Sequence, residues 1–198
     1  MNTLISYDNG LAWVEHGPTE IEGPSLRLNL CSVDPTSHYV VRAAELRFIG
    51  LVRDGEYELG AVAYGQTLIM VHRTNSQVPR LIHLPYVLDL INKFQFTPVD
   101  TEHTKSFSFL GLFKYEGSWH SARRLTPGTV FNSRINLNNL RISELPKGLL
   151  VKGDLSLCNT LLKELPDDLR VQGTLDIRYN PQLSLPANGL LAMEILHD

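Results

Sequence analysis

Between residues 124 and 198 the apolar positions return on a fixed schedule. Residues 144–163, ELPKGLLVKGDLSLCNTLLK, align without a gap on residues 164–183, ELPDDLRVQGTLDIRYNPQL, at a period of 20. Leu145 and Pro146 fall on Leu165 and Pro166, Leu149 on Leu169, Val151 on Val171, Gly153 on Gly173, Leu155 on Leu175, and Leu157 on Ile177. One period earlier, Leu125, Phe131, Ile135 and Leu137 hold the apolar positions and Thr126 replaces the proline. One period later the chain keeps Leu185, Pro186, Leu191 and Ile195. A repeat of this length cannot bury its own apolar face, so neighbouring units must stack. The pattern predicts a solenoid of about four coils over 124–198.

Within each unit GDLSLC and GTLDIR alternate with period two, which turns Leu155, Leu157, Leu175 and Ile177 inward on short parallel strands. The outward residues then form three columns: Arg134, Asp154, Thr174 and Glu194; Asn136, Ser156, Asp176 and Leu196; Asn138, Cys158, Arg178 and Asp198. Gly153 and Gly173 precede the strands, where coils approach closely. Pro146, Pro166 and Pro186 help end the preceding segment.

These units resemble short leucine-rich repeats of the LP-containing kind seen in bacterial and bacteriophage proteins. The resemblance covers 124–198 only, and an asparagine at the usual turn position occurs only at Asn180, with Leu140 and Thr160 in its place. It implies that the strand-lined face binds another macromolecule, through Arg134, Asn136, Asn138, Asp154, Ser156, Cys158, Thr174, Asp176 and Arg178. Glu194, Ile195 and Leu196, on the last strand, are candidates for edge pairing with a partner strand or a second copy. Some LP-repeat effectors carry a ubiquitin-ligase domain after the repeats; that activity is not carried over to this chain.

Residues 1–123 lack the period and read as a separate head domain. TLISY and LAWVEH flank the turn Asp8-Asn9-Gly10 as a hairpin. SLRLNLCSV, residues 25–33, alternates as a strand with Leu26, Leu28 and Leu30 on one face, whereas residues 39–53 fit helix or strand. A DG turn introduces strands near 56–64 and 67–73. LPYVLDLINKFQF predicts a helix, with Pro85 in the first turn and Val87, Ile91 and Phe94 along one face. SFSFLGLFKYEGSWH predicts an aromatic-rich strand and an EG turn, with Phe107 and Phe109 opposite Leu110 and Leu112. The fold class expected is α+β, an antiparallel-strand-rich head (1–123) followed by a short leucine-rich-repeat solenoid (124–198). With no flexible linker between them, the head is expected to pack on the first coil and cap it.

Composition sharpens the division. Residues 124–198 hold 18 Leu in 75 positions and only two aromatics, Phe131 and Tyr179. A net charge of −3 argues against nucleic acid as a direct partner. Two distant cysteines, Cys31 and Cys158, make neither a disulfide framework nor a zinc site. The start, MNTLISYDNGLAW, has no basic or apolar leader pattern, and no long apolar window occurs, so the expectation is a cytoplasmic protein, in the host cytoplasm if phage-encoded, without a membrane span.

No residue is assigned as catalytic, no metal site is predicted and no cofactor is expected. Six of the seven histidines, His16, His38, His72, His83, His103 and His120, precede the repeats, and none sits at metal-ligand spacing. Glu15 and His16 are adjacent, hence on opposite faces of a strand. Cys31 with Asp34 and His38 is read as a strand cysteine before a turn. Neither GxSxG, a P-loop nor GxGxxG occurs. The reading leans away from an enzyme and toward a protein that binds another protein by surface occlusion or as an adaptor, in the manner of a phage or bacterial inhibitor of a host defence complex. Two alternatives stay open: a small enzyme with its site in the head and repeats for target selection, and a structural component of a phage particle or other oligomeric assembly.

Overall fold

A computed structural model describes residues 2–16, 46–72, 79–100, 105–186 and 192–198, with residues 69–72 described by their backbone. The expected strand at 25–33, Cys31, Asp34, His38, His103 and residues 39–45 lie outside the described residues. The chain divides into two compact units, Met1–Phe107 and Ser108–Asp198.

The first unit is built on a six-stranded sheet whose strands lie in chain order. β1 (Asn2–Ser6), β2 (Leu11–His16), β3 (Leu46–Arg53), β4 (Glu56–Tyr64) and β5 (Thr67–His72) are antiparallel neighbours, and the short β6 (Thr97–Pro98) joins β5 in parallel. The ambiguous segment 39–53 thus resolves, over 46–53, as strand. The β3–β4 turn is Asp54-Gly55, with φ of 51° and 82°, the left-handed pair that a two-residue hairpin turn demands. Register alternation puts Leu11, Trp13, Ile49, Leu51, Leu59 and Ala61 on one face of the sheet, all buried. Helix α1 (Leu84–Phe94) buries Leu84, Val87, Leu90 and Ile91. Trp13 Nε1–H donates to the Tyr86 carbonyl at 2.9 Å, and Lys93 Nζ donates to the Leu4 carbonyl at 3.1 Å, which ties the helix to β1 and β2. Helix content is low, and the described unit is mainly antiparallel sheet with few helical turns.

The expected aromatic strand begins instead as a helical turn, α2 (Ser106–Leu110). Asp100 Oδ1 accepts from the Phe107 N–H at 2.8 Å, supplying the start of the turn, and Gly111, at φ 68°, ends it. Phe107 and Leu110 are both buried, a spacing of three that suits a helix and defeats a period-two reading.

The second unit opens with the hairpin β7 (Leu112–Tyr115) and β8 (Ser118–Ser121) around the turn Glu116-Gly117, as the EG dipeptide predicts. A β-solenoid of about three turns follows. One parallel sheet holds β9 (Val130–Phe131), β11 (Leu150–Val151) and β13 (Arg170–Val171). The other holds β10 (Ile135–Asn136), β12 (Leu155–Ser156), β14 (Thr174–Asp176) and β15 (Glu194–Leu196). Every pair keeps the 20-residue offset: Phe131, Val151 and Val171 are in register, as are Ile135, Leu155, Leu175 and Ile195. A single bridge between Glu164 and Ser184 starts a third line of contact.

The inward residues form one apolar column after another. Leu137, Leu149, Val151, Leu155, Leu157 and Leu175 are fully buried, each worth roughly 1.5–3 kcal/mol relative to an exposed side chain. The hairpin extends this core, since Phe113 and Ala122 belong to the same buried cluster. Tyr115 packs edge-on against Phe131 at 4.9 Å, and its hydroxyl accepts from the Asn132 N–H at 2.9 Å. Arg123 braces the junction by donating to the carbonyls of Phe109 and Arg141. The first coil is therefore covered by residues of its own unit that precede the onset of the period.

Candidate functional site

The outward face of the β10–β12–β14–β15 sheet gathers the twelve side chains of the three predicted columns. The in-register ladders put Asn136 beside Ser156 and Asp176, and Thr174 beside Glu194. Adjacent members of a column are separated by the strand spacing of about 4.8 Å. Arg134, Asn136, Asp154, Arg178 and Glu194 are exposed, whereas Asn138, Ser156, Cys158, Thr174, Asp176, Ile195 and Leu196 are half-buried.

Much of the polar chemistry of this face is spent within it. Asn138 Oδ1 accepts from the Ser156 hydroxyl and from the Cys158 N–H, both at 2.7 Å. Asp154 Oδ1 accepts from the Thr174 N–H at 2.9 Å, and Glu194 Oε2 from the Thr174 hydroxyl at 3.4 Å. Arg178 grips Asp176 with two donors, Nε to Oδ1 at 2.9 Å and Nη2 to Oδ2 at 2.7 Å. That fork holds the Asp176 carboxyl well below the usual carboxylate range, and the same pair pushes the Arg178 guanidinium up. Burial, followed by a hydrogen bond with Asp176, raises the Cys158 thiol above its ordinary value, so it stays protonated at neutral pH. The surface is consequently pre-organised and carries a protonated thiol.

Sequence reasoning missed the polar seam at the turns. Asn139, Asn159 and Tyr179 occupy one column in the left-handed region, at φ of 61°, 53° and 62°, and Asn159 Nδ2 donates to Asn139 Oδ1 at 2.9 Å. Asn180 lies one residue on; its amide donates to the carbonyls of Leu157, Ile177 and Arg178, and its Oδ1 accepts from Thr160. The signal was present in the aligned Asn139 and Asn159, residues that tolerate positive φ.

In the first unit, Glu15 and His16 do occupy opposite faces of β2. Glu15 pairs with Arg47 at 2.5 Å, and His16 Nε2 lies 3.1 Å from the Tyr57 hydroxyl. His83, buried, approaches Glu58 at 3.4 Å. In the second unit, His120 stacks on Phe113 at 5.8 Å. Among the described residues no group of three His, Cys, Asp or Glu is placed to hold a metal ion. A cleft of about 500 Å³ runs along the LP steps, walled by Glu144, Lys147, Lys163, Glu164 and Asp167, with charges of both signs. No described helix is long and apolar enough to cross a membrane. Comparison of the chain with protein-family models, with curated proteins and with solved structures finds no match.

Proposed function

We propose that this protein binds another protein through the β10–β12–β14–β15 face and acts by occluding the bound surface or by bridging it to a second component. The observation that carries the reading is the constant 20-residue register, which lines Asn136, Ser156, Thr174, Asp176, Glu194 and Leu196 along one face of the sheet. A face already ordered by its own hydrogen bonds loses little side-chain entropy on association. The coils read as short leucine-rich repeats behind a head of α+β class, and proteins with LP repeats of this kind include bacterial and phage examples. On that resemblance the partner is a host complex and the role that of an inhibitor. Combined charge reversal at Asp154, Asp176 and Arg178 tests the reading: partner capture is lost while the circular dichroism spectrum is kept. Unchanged capture removes this face from consideration.

A second reading is favoured by the position of β15 at the edge of its sheet, with Ile195 and Leu196 half-buried. Edge strands pair readily with other strands, and here the second strand comes from another copy. Light scattering at high concentration decides it, a monomeric mass excluding self-association.

A further inference from the structure

We propose that the other sheet of the solenoid, β9–β11–β13, carries a second docking surface, whose occupant is an acidic segment of a protein partner that also bears aliphatic side chains. The inference rests on the protein-binding reading above and assigns the chemistry of the bound partner. The outward positions of these three strands and the residues after them are Val130, Asn132, Leu150, Lys152, Arg170 and Gln172. None is acidic. The nearest carboxylates along the chain are Asp154, which follows Lys152 by two residues and accepts from the Thr174 N–H of the other sheet, and Asp168, in the turn before β13; neither forms an ion pair with Lys152 or Arg170. Among the described residues, neither the Lys152 ammonium nor the Arg170 guanidinium has an ion-pair or side-chain hydrogen-bond partner.

The two cations are diagonal neighbours, because Leu150 is in register with Arg170 and Lys152 follows two residues after Leu150. Beside Arg170 the same column is aliphatic, with Leu150 half-buried and Val130 47% exposed, while Lys152 stands between the polar side chains of Asn132 and Gln172. At the β13 end a cleft of about 380 Å³ has Leu150, Arg170 and Gln172 on one side and Ala192 and Met193 on the other. Met193 is 85% exposed, an unusual position for a long thioether that adapts readily to an irregular apolar partner. The contrast with the β10–β12–β14–β15 face is chemical. There Asp154 and Asp176 are already bonded within the face, so its charge is largely internal. Here two unspent cations flank exposed aliphatic groups, which calls for carboxylates spaced around aliphatic side chains. A nucleic acid would use the cations and leave Val130, Leu150 and Met193 without a counterpart, and two charges supply little phosphate affinity.

The experiment titrates the full chain with a short fluorescent peptide of alternating Glu and Leu. A Lys–Leu peptide and a single-stranded oligonucleotide serve as competitors of opposite and of purely anionic character. The Glu–Leu peptide is expected to bind, and Lys152→Glu combined with Arg170→Glu is expected to weaken it about tenfold, the scale of two reversed surface charge pairs. Val130→Ser and Met193→Ser, exposed and outside the core, are expected to weaken it further without changing the far-ultraviolet spectrum. Equal binding by the double variant with an unchanged spectrum, equal binding of the Lys–Leu peptide, or tighter binding of the oligonucleotide overturns the inference. A natural partner retained by the Lys152/Arg170 variant but lost on reversal of Asp154, Asp176 and Arg178 overturns it while leaving the reading of the first face intact.

Discussion

Asn180 and Thr160 are joined twice across neighbouring coils, Asn180 Oδ1 accepting both the Thr160 N–H and the Thr160 hydroxyl at 2.9 Å. The same side chain donates to three carbonyls, so one residue satisfies five polar groups around a turn. Asn180→Ala is expected to cost about 1–3 kcal/mol, because partly buried backbone groups lose their partner. Thr160→Val keeps the backbone bond and is expected to cost about 1 kcal/mol or less. Urea midpoints followed by Trp119 fluorescence measure both, and a larger loss for Thr160→Val would contradict the assignment.

Gly153 is set by the coil beneath it. A Cβ built there would stand 2.6 Å from the backbone nitrogen of Arg134, which cannot swing aside. Elsewhere a Gly→Ala change at ordinary φ stabilises by about 0.4–1 kcal/mol; here the clash reverses the sign, and about 1–3 kcal/mol of destabilisation is expected. Ser133, the equivalent residue one coil earlier, is exposed, and Ser133→Ala is expected to be neutral. Comparing the two thermal midpoints checks the prediction.

Acid should expose the Asp176–Arg178 fork. The folded-state value of Asp176 lies below its unfolded value, so the pair contributes fully above about pH 4 and its contribution fades as pH falls toward the depressed value. Arg178 is 46% exposed on its side chain, so solvent screening keeps the contribution of the pair small. Arg178→Gln should therefore lower stability slightly at neutral pH and flatten the acid limb of the stability curve relative to the parent protein. Parallel curves offset by a constant would contradict it.

Cys158 offers a spectroscopic check on the same face. With its thiol held protonated by burial and by Asp176, a Cys31→Ser variant should react slowly with a chromogenic disulfide, and denaturant should restore the rate of a free thiol. Fast reaction of the folded protein at neutral pH would show a thiolate instead.

The two tryptophans report on different units, Trp13 on the first and Trp119 on the second. Leu90 in α1 is fully buried, and Leu90→Ala should cost about 2–5 kcal/mol in the transition reported by Trp13 in a Trp119→Phe background. An unshifted Trp13 transition would remove Leu90 from the core.

The solenoid was legible in the sequence because its constraint is periodic: Leu155 and Leu175 must stack, and the chain spells that need every twenty residues. The outward columns followed from the same arithmetic. What the pattern could not reveal was how the columns use their polar groups, since Asn138 bonding to Ser156 depends on rotamers and on the coil spacing. Ahead of the repeats the chain was legible where local chemistry decides, at Asp54-Gly55 and the Pro85 helix start in the first unit and at Glu116-Gly117 in the second. It failed at Ser106–Leu110, where five residues suit either period and the deciding group, Asp100, lies outside the segment. The proposed docking surface on β9–β11–β13 was equally hidden, because Lys152 and Arg170 stand in different columns and meet only after coiling.

The fixed offset between ladder partners makes the length of the solenoid a quantised property. Loss of one residue inside a coil would set Val151 against the wrong neighbour and turn apolar side chains outward from that point on. Loss of residues 148–167 as a block would instead bring Phe131 into register with Val171 and Ile135 with Leu175, leaving each ladder continuous. The molecule can therefore lengthen or shorten only by whole coils, and each such step adds or removes one row of outward side chains across both faces at once.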